Sequence, residues 1–388
     1  MTDTTPSGPI LQNASKEEHS IPLCIDLDGT LIKTDTLLEL CICFLRTGGR
    51  KIFLLPIWLA WGRAYLKTKI AYSIALDPAL LPQHKPLTRY ILAEKLNGRS
   101  IILVTAASER YARIVAEYFG FFDGVLASSP KNNLRGAAKL KCLLNHFGSR
   151  EFDYAGNDHT DIIIWRHARK AILVNPERGV ESKMRLYRSK YLVLDDRPSL
   201  YKRLGSLLGL KVWIRNLFIF VPWFLFGNKN ILSLYTISIA YCVFSLAGNA
   251  IRIGAALFFL HQDRQTLAKR NNFFASGDLP LLYGFVSLPI FLASSNILFL
   301  AAPPVSFSLY LAYLAGEIFR HITKQHSKKL SDWVIRTISS LLILISGLQA
   351  GQLAITTKRL SILLLLSGAF AFIQKHGRDL LKRTRFPV

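Results

Sequence analysis

The chain has 388 residues, of which 51% are hydrophobic, with 49 Lys and Arg against 25 Asp and Glu and a formal net charge of +24. This length predicts two domains, and the apolar content excludes a disordered chain or a highly charged soluble one. Residues 201–388 hold 21 of the basic residues but only five of the acidic ones. An apolar and cationic half is typical of a multi-span membrane protein, and we expect no nucleic-acid partner.

The first 20 residues are polar and lack a basic start before an apolar run, so they predict a disordered tail and not a signal peptide. An alternating pattern of strands and helices begins at Ile21. Apolar strand-like runs at 21–25, 101–104, 153–155 and 171–174 alternate with helical stretches such as 108–118 and 136–147. This order predicts a parallel sheet covered by helices on both faces, with ligands at the carboxyl ends of its strands.

A long insertion separates the first two strands and predicts a helical cap over about residues 37–98. Its stretch Ile52–Trp61 is apolar with basic flanks and is too short to span a membrane. Two interpretations stay open here, the core of the cap and a segment lying in a membrane interface. Five scattered cysteines without a C-x-x-C pair indicate free thiols in a reducing compartment.

The composition changes after Asp195–Pro198, which predicts a linker between a domain over 21–195 and a transmembrane domain over 205–388 of about six helices. The apolar segments are 212–226, 231–260, 279–301, 304–319, 333–350 and 360–372. Six spans place twelve basic loop residues on the side of the first domain and three on the opposite side. This bias predicts an integral protein of a bacterial inner membrane with a cytoplasmic N-terminal domain.

The segment Asp26-Leu-Asp-Gly-Thr30 follows the first strand and suits phosphoryl transfer. Asp26 is the candidate nucleophile, which would form an aspartyl phosphate. Asp28 is the candidate acid and base, which would protonate the leaving oxygen and later activate water. Gly29 lets backbone N–H groups approach a phosphate.

This segment resembles the opening motif of the haloacid dehalogenase superfamily of phosphohydrolases, and the resemblance extends over about residues 21–180. It implies a Rossmann-like α/β domain with a helical cap, acting on a phosphorylated small molecule. It also implies that Thr105 and Lys139 bind the phosphate. The implied Mg²⁺ ligands are Asp26, Asp28, Asn157, Asp158 and Asp161. Asn157 stands where the commonest form of the family's loop has Asp.

The run from His261 to Leu279 reads DRxxxxKRxxxFASGxL from Asp263 onward and resembles the loop after the second helix of UbiA-type prenyltransferases. The resemblance implies an all-α membrane domain that binds a polyprenyl phosphate or diphosphate. The implied binding residues are Asp263, Arg264, Lys269, Arg270 and Asp332. Three polar positions of that family's Asp-rich motif are apolar here, at Ala255, Ala256 and Phe259.

Three hypotheses follow. The first is a membrane-anchored, Mg²⁺-dependent phosphatase acting on a sugar phosphate or a lipid-linked phosphate. The second is a prenyl or phosphoribosyl transferase with an appended phosphatase, and the third is an inactive membrane scaffold. The oligomeric state is left open by the sequence.

Overall fold

A computed structural model of the chain describes residues 21–47, 49–74, 76–129, 133–188, 190–226, 230–302, 305–326, 329–350 and 359–369, with positions 356 and 371. The tail predicted over residues 1–20 lies outside the described residues. The chain divides into two compact units. The first contains the chain up to Ser199 together with Leu260–Leu281, and the second contains Leu200–Phe259 and the chain from Leu282 onward. The sequence did not predict that 260–281 belongs to the first unit.

Six strands in the described part of the first unit form one parallel sheet, which confirms the predicted α/β fold. The strands are β1 Leu23–Ile25, β2 Ile101–Ser108, β3 Gly124–Ser128, β4 Asp153–Gly156, β5 Ala171–Val174 and β6 Leu192–Leu194. Their order across the sheet is β3-β2-β1-β4-β5-β6. Strand β1 is therefore central, and β3 and β6 add to the four strands that the sequence predicted.

Side chains alternate between two apolar cores along the central strand. Leu23 and Ile25 belong to one core, and Cys24 between them belongs to the other. This alternation follows from the two-residue period of a strand and shows that both faces of the sheet are covered. In the register of the sheet, Ile25 lies opposite Leu103 of β2 and Ala155 of β4. Asp26, Val104 and Gly156, the residues next in sequence, therefore lie near one another towards the carboxyl edge of the sheet.

The insertion after β1 is helical, as predicted. It contains α1 Thr36–Thr47, a 3₁₀ turn Gly49–Leu54, α2 Leu55–Ala60, α3 Arg63–Ser73, a turn Pro78–Leu80 and α4 Lys85–Leu96. Leu55 and Trp58 pack against the core. Phe53 and Trp61 are 81% and 72% exposed. The apolar stretch of the cap thus contributes to the core and also presents an apolar surface.

Four further helices cover the two faces of the sheet: α5 Glu109–Phe119, α6 Ala137–Phe147, α7 Ile162–His167 and α8 Val180–Tyr187. Helix α5 has a strongly amphipathic pattern and buries Tyr111, Ala112 and Val115. It ends at Gly120, whose φ of +70° is the left-handed conformation that favours glycine at a helix end.

The second unit is helical. Its elements are α9 Leu200–Leu208, α10 Leu210–Asn216, a 3₁₀ turn Leu217–Phe220, α11 Val221–Phe226, α12 Ile231–Phe258, α13 Leu281–Ala301, α14 Phe307–His326 and α15 Lys329–Ala350. A buried Glu317 on α14 accepts hydrogen bonds from Arg215 at 3.2 Å and from Arg320 at 2.5 Å. Ionisable groups inside an apolar bundle are expected to pair in this way.

Two helices of the described chain, α12 and α13, are long and apolar enough to cross a membrane. A third candidate is the bent pair formed by α9 and the helical stretch 210–226, which meet at 45°. Thr337–Ala350 and Arg359–Ala369 are apolar but shorter. The six predicted segments thus include two full candidate spans, or three if the bent pair counts as one.

Candidate active site

Asp26 lies at the carboxyl end of β1, where its backbone N–H donates to the carbonyl of Ala155. The residue is 8% exposed. Its Oδ1 accepts a hydrogen bond from Lys139 Nζ at 2.7 Å, and its Oδ2 is 3.5 Å from Thr30 Oγ1. Because Lys139 engages Oδ1 closely, Oδ2 is the oxygen left for attack on an electrophile.

Lys139 reaches Asp26 from the first turn of α6, and the side chain is almost fully buried. Its ammonium also donates to the hydroxyl of Tyr154 at 3.1 Å. Burial disfavours the charged form, but the negative charges of Asp26 and Asp161 outweigh burial and raise the pKa of Lys139. A cation fixed beside the candidate nucleophile neutralises charge where a phosphate would bind.

Asp28 is held by the start of α1. Its Oδ1 accepts from the Thr36 backbone N–H at 2.8 Å, and its Oδ2 accepts from Thr36 Oγ1 at 3.2 Å. Burial and the neighbouring charges of Asp35 and Asp26 raise the pKa of Asp28 to about 7, although both hydrogen bonds from Thr36 lower it. A carboxyl group that titrates near neutrality suits a general acid and base.

Asn157 approaches Asp26 from the end of β4. Thr30 Oγ1 lies 3.2 Å from Asn157 Oδ1 and so bridges the amide and the Asp26 carboxylate. Gly29 has a φ of +74°, and a Cβ added there would lie 2.4 Å from Asn157 Nδ2. The glycine therefore permits both the left-handed turn and the close approach of Asn157.

The two aspartates that follow Asn157 are engaged elsewhere. Asp158 pairs with Arg135 at 3.2 Å and caps the turn at Thr160. Asp161 accepts from the backbone N–H groups of residues 157 and 158 and from Tyr154 Oη. Burial raises the pKa of Asp161 to about 6. Both residues shape the loop that presents Asn157.

Within the described residues, no three Cys, His, Asp or Glu side chains form a group that could hold a metal ion. The five ligands implied by the resemblance are thus not gathered into one cage. Asp26 and Asn157 do share Thr30 as a neighbour, and they offer one carboxylate and one amide oxygen. This set fits Mg²⁺, which commonly takes one or two carboxylates and completes its shell with water and substrate phosphate.

Thr105 lies on β2 two residues after Leu103, the register partner of Ile25, and is fully buried. It accepts from the Ala107 N–H at 3.0 Å. A small pocket lies between the carboxyl end of β2 and α1. The pocket is lined by Thr36, Leu37, Leu40, Ala107, Ser108 and Tyr111. The buried hydroxyls of Ser108 and Tyr111 make no hydrogen bond within the described chain. The pocket has a volume of about 10 Å³, which is room for a single water molecule beside them.

The residues implied for polyprenyl diphosphate binding have other contacts. The Arg264 guanidinium forms two hydrogen bonds to Glu39. Asp263 accepts from Asn272 at 3.2 Å and lies 3.8 Å from Lys269. Arg270 is exposed, and the side chain of Asp332 lies outside the described residues. The Arg264 side chain is therefore buried against Glu39, and its role in diphosphate binding stays a prediction.

Sequence reasoning missed Tyr154, Thr36 and Glu39. Tyr154 connects Lys139 to Asp161, and Thr36 holds Asp28. Glu39 carried a usable signal, because it is the single acid in the apolar helix TLLELCICFLRT. An acid on the apolar face of a helix implies a buried partner.

Comparison with known proteins concerns mainly the first unit. Residues 23–155 match the family described as haloacid dehalogenase-like hydrolase, which supports a domain of this type in the first unit. An uncharacterized protein of Sinorhizobium fredii strain NGR234, y4nM, is 32% identical over 281 residues. That alignment covers 71% of this chain and 54% of the relative, so the chain spans about half the length of the relative.

Two solved structures show distant likeness. A protein of unknown function from Bordetella pertussis Tohama I is 15% identical, with a TM-score of 0.35 and coverage of 45% of this chain and 99% of that chain. A probable phosphoserine phosphatase from Vibrio cholerae is 14% identical, with a TM-score of 0.28 and coverage of 42% and 59%. Nothing about function follows from likenesses this distant.

Proposed function

We propose that the protein is a membrane-anchored, Mg²⁺-dependent phosphomonoester hydrolase that works through an aspartyl phosphate. The observation that carries this proposal is the pair of carboxylates on the central strand end. One carboxylate oxygen of Asp26 accepts a hydrogen bond from Lys139. Asp28 is held by Thr36 and titrates near neutrality. The candidate spans α12 and α13 supply the membrane anchor.

The reaction follows from these positions. Asp26 Oδ2 attacks phosphorus, the phosphorus–oxygen bond to the leaving group breaks, and protonated Asp28 donates its proton to the departing oxygen. The resulting Asp28 carboxylate then accepts a proton from water, whose oxygen attacks the phosphorus of the acyl phosphate. This second step releases inorganic phosphate and restores both aspartates. Lys139 neutralises charge on the nucleophile side throughout.

Asp26 and Asn157 are the residues that would hold Mg²⁺. When bound, the ion would neutralise phosphate oxygens, which lowers the cost of bringing an anionic ester beside Asp26. Removal of divalent cations with a chelator is expected to abolish turnover, and Mg²⁺ is expected to restore it.

The substrate class we propose is a sugar phosphate or a lipid-linked phosphate. The exposed Phe53 and Trp61 of the cap suit contact with a lipid phase.

The first experiment is Mg²⁺-dependent phosphate release from an aryl phosphate by detergent-purified full-length protein. Asp26→Asn keeps the shape of the side chain but removes the nucleophile, so we expect a loss of at least about 10³-fold in kcat. Asp77→Asn is the matched control, because Asp77 is an exposed aspartate that only caps a turn. Equal activity of Asp26→Asn and wild type would overturn the proposal.

The transferase hypothesis for the second half stays a prediction. Its implied residue Arg264 is used within the first unit, and the buried Glu317 of the second unit is paired with Arg215 and Arg320. Both arrangements satisfy their charges internally, which favours the phosphatase over the transferase as the activity to test first.

A further inference from the structure

A buried carboxylate lies one helical turn after the residue that holds Asp28. Glu39 is on α1, three residues beyond Thr36, and is fully buried. Its Oε1 accepts from Thr34 Oγ1 at 2.7 Å. Its charge is met by Arg264, with Nη1 2.9 Å from Oε2 and Nη2 2.7 Å from Oε1. Two parallel hydrogen bonds fix both the position and the orientation of the carboxylate.

Arg264 is itself held rigidly. Its Nε donates a hydrogen bond to the carbonyl of Ala275 at 3.1 Å, and the side chain is 4% exposed. Arg264 therefore links α1 to the segment 260–281 at a site 225 residues away along the chain.

The far end of the segment is also closely packed. Gly277 has a φ of +73°, and a Cβ added there would lie 2.6 Å from Lys33 Cβ. Lys33 in turn pairs with Asp196 at 2.7 Å and lies 3.8 Å from Asp278. Lys33 belongs to the loop that joins the catalytic aspartates to α1. The segment thus contacts α1 through Arg264 and the preceding loop through Gly277.

We propose that Arg264 and Glu39 are positioning residues of the phosphatase site, which hold the first turn of α1 so that Thr36 keeps the Asp28 carboxylate in place. This inference rests on the proposed function. It makes the segment 260–281, between the candidate spans α12 and α13, part of the structure that supports the hydrolase active site. Loss of Arg264 would leave Glu39 buried without its charge partner, and the first turn of α1 would have to move or open to water.

The kinetic test compares Arg264→Met, Glu39→Gln and their double variant in the full-length protein. We expect each single variant to lower kcat at least about tenfold with KM within about twofold, because ground-state phosphate contacts are unchanged. The double variant should lose little more than either single variant, since both remove the same contact. Arg264→Lys, which retains the charge without the two-pronged geometry, should be intermediate.

The matched control is Arg113→Met. Arg113 pairs with Glu109 on α5 by the same groups, but both side chains are largely exposed. It should retain wild-type kcat. A kcat for Arg264→Met equal to that of wild type would overturn the inference. So would a loss of folded protein with unchanged kcat per folded molecule, which would mark the pair as purely structural.

Hydrogen exchange provides a readout independent of activity. The Thr36 and Glu39 amides are hydrogen-bonded to Asp28 and to the Asp35 carbonyl. We expect Arg264→Met to speed their exchange at least about tenfold while leaving α5 unchanged. Wild-type protein without Asp26-dependent phosphate release would overturn the proposed function. In that case faster amide exchange in Arg264→Met would still support the role of Arg264 in holding the first turn of α1, and unchanged exchange would overturn that role.

Discussion

At the scale of single residues, Gly29 combines a left-handed backbone conformation with close contact to the site residue Asn157. Gly29→Ala introduces a Cβ at a φ of +74°, 2.4 Å from Asn157 Nδ2. We expect a stability loss of about 1–2 kcal/mol from the backbone. We also expect a fall in kcat of at least about tenfold, because Asn157 must move away from Asp26. Thermal denaturation and phosphate release measure the two effects separately.

Gly98→Ala provides the control for this prediction. Gly98 has a φ of +82°, but a Cβ added there would meet nothing within 4 Å. The control should therefore show the backbone cost and retain full activity. If both variants lost activity equally, or if neither did, the close approach of Asn157 would have no catalytic role.

The pKa of Asp28 makes a second prediction at this scale. Its value of about 7 means that the protonated acid is lost as pH rises through neutrality. For an ester with a poor leaving group, kcat/KM should therefore fall about tenfold per pH unit above about 7. Thr36→Val removes the hydrogen bond from Thr36 Oγ1, which favours the ionised carboxylate. The fall should then begin at higher pH.

An aryl phosphate with a good leaving group is the internal control for the pH profile, because its departure needs no proton. Its rate should decline less above pH 7. A profile that is flat for both esters between pH 6 and 9 would exclude Asp28 as the acid.

At the scale of elements, the cap presents the exposed Phe53 and Trp61 around α2. We predict that Phe53→Ser with Trp61→Ser raises KM about fivefold for a long-chain alkyl monophosphate in mixed micelles, because apolar contact with the micelle is lost. The KM for a soluble aryl phosphate should stay unchanged. Steady-state kinetics with both substrates measure the difference.

Leu96→Ser with Leu186→Ser is the matched control for the cap, since these side chains are 89% and 81% exposed but lie on α4 and α8. This pair should leave both KM values at the wild-type level. An equal rise in KM for the soluble and the micellar substrate would mean that the cap substitutions damage the site and not a lipid contact.

The sequence predicted those elements whose signal is local. Strands β1 and β5 are continuous apolar runs. The DLDGT segment was predicted as a site because two aspartates and a glycine directly follow such a run. Strands β3 and β6 were missed because their side chains are only partly buried or exposed, so their apolar patterns are weak. The pairing of Glu39 with Arg264 was missed for another reason. Residues so far apart in the chain meet only through the tertiary fold, which no spacing rule encodes.

At the scale of the whole molecule, the composition of the first unit constrains how the chain crosses the membrane. Residues 21–199 and Leu260–Leu281 belong to one compact unit, so both must lie on the same side. An even number of crossings must therefore separate them. Helix α12, with 28 residues, is about 42 Å long and exceeds the roughly 30 Å hydrocarbon core. With α12 taken as one crossing, we predict that the bent stretch 200–226 supplies the second.

This count predicts that the chain between the bent stretch and α12 lies opposite to the first unit. In a variant with its five native cysteines replaced, a membrane-impermeant maleimide should label Ile231→Cys from one side. Ser199→Cys and Gln265→Cys should react only from the other side. Ile231 and Gln265 are both exposed, so reactivity reports sidedness rather than burial. Labelling of all three positions from the same side would mean that 200–226 is a re-entrant loop and that α12 does not span. The positive-inside bias predicts that Ser199 and Gln265 face the cytoplasm.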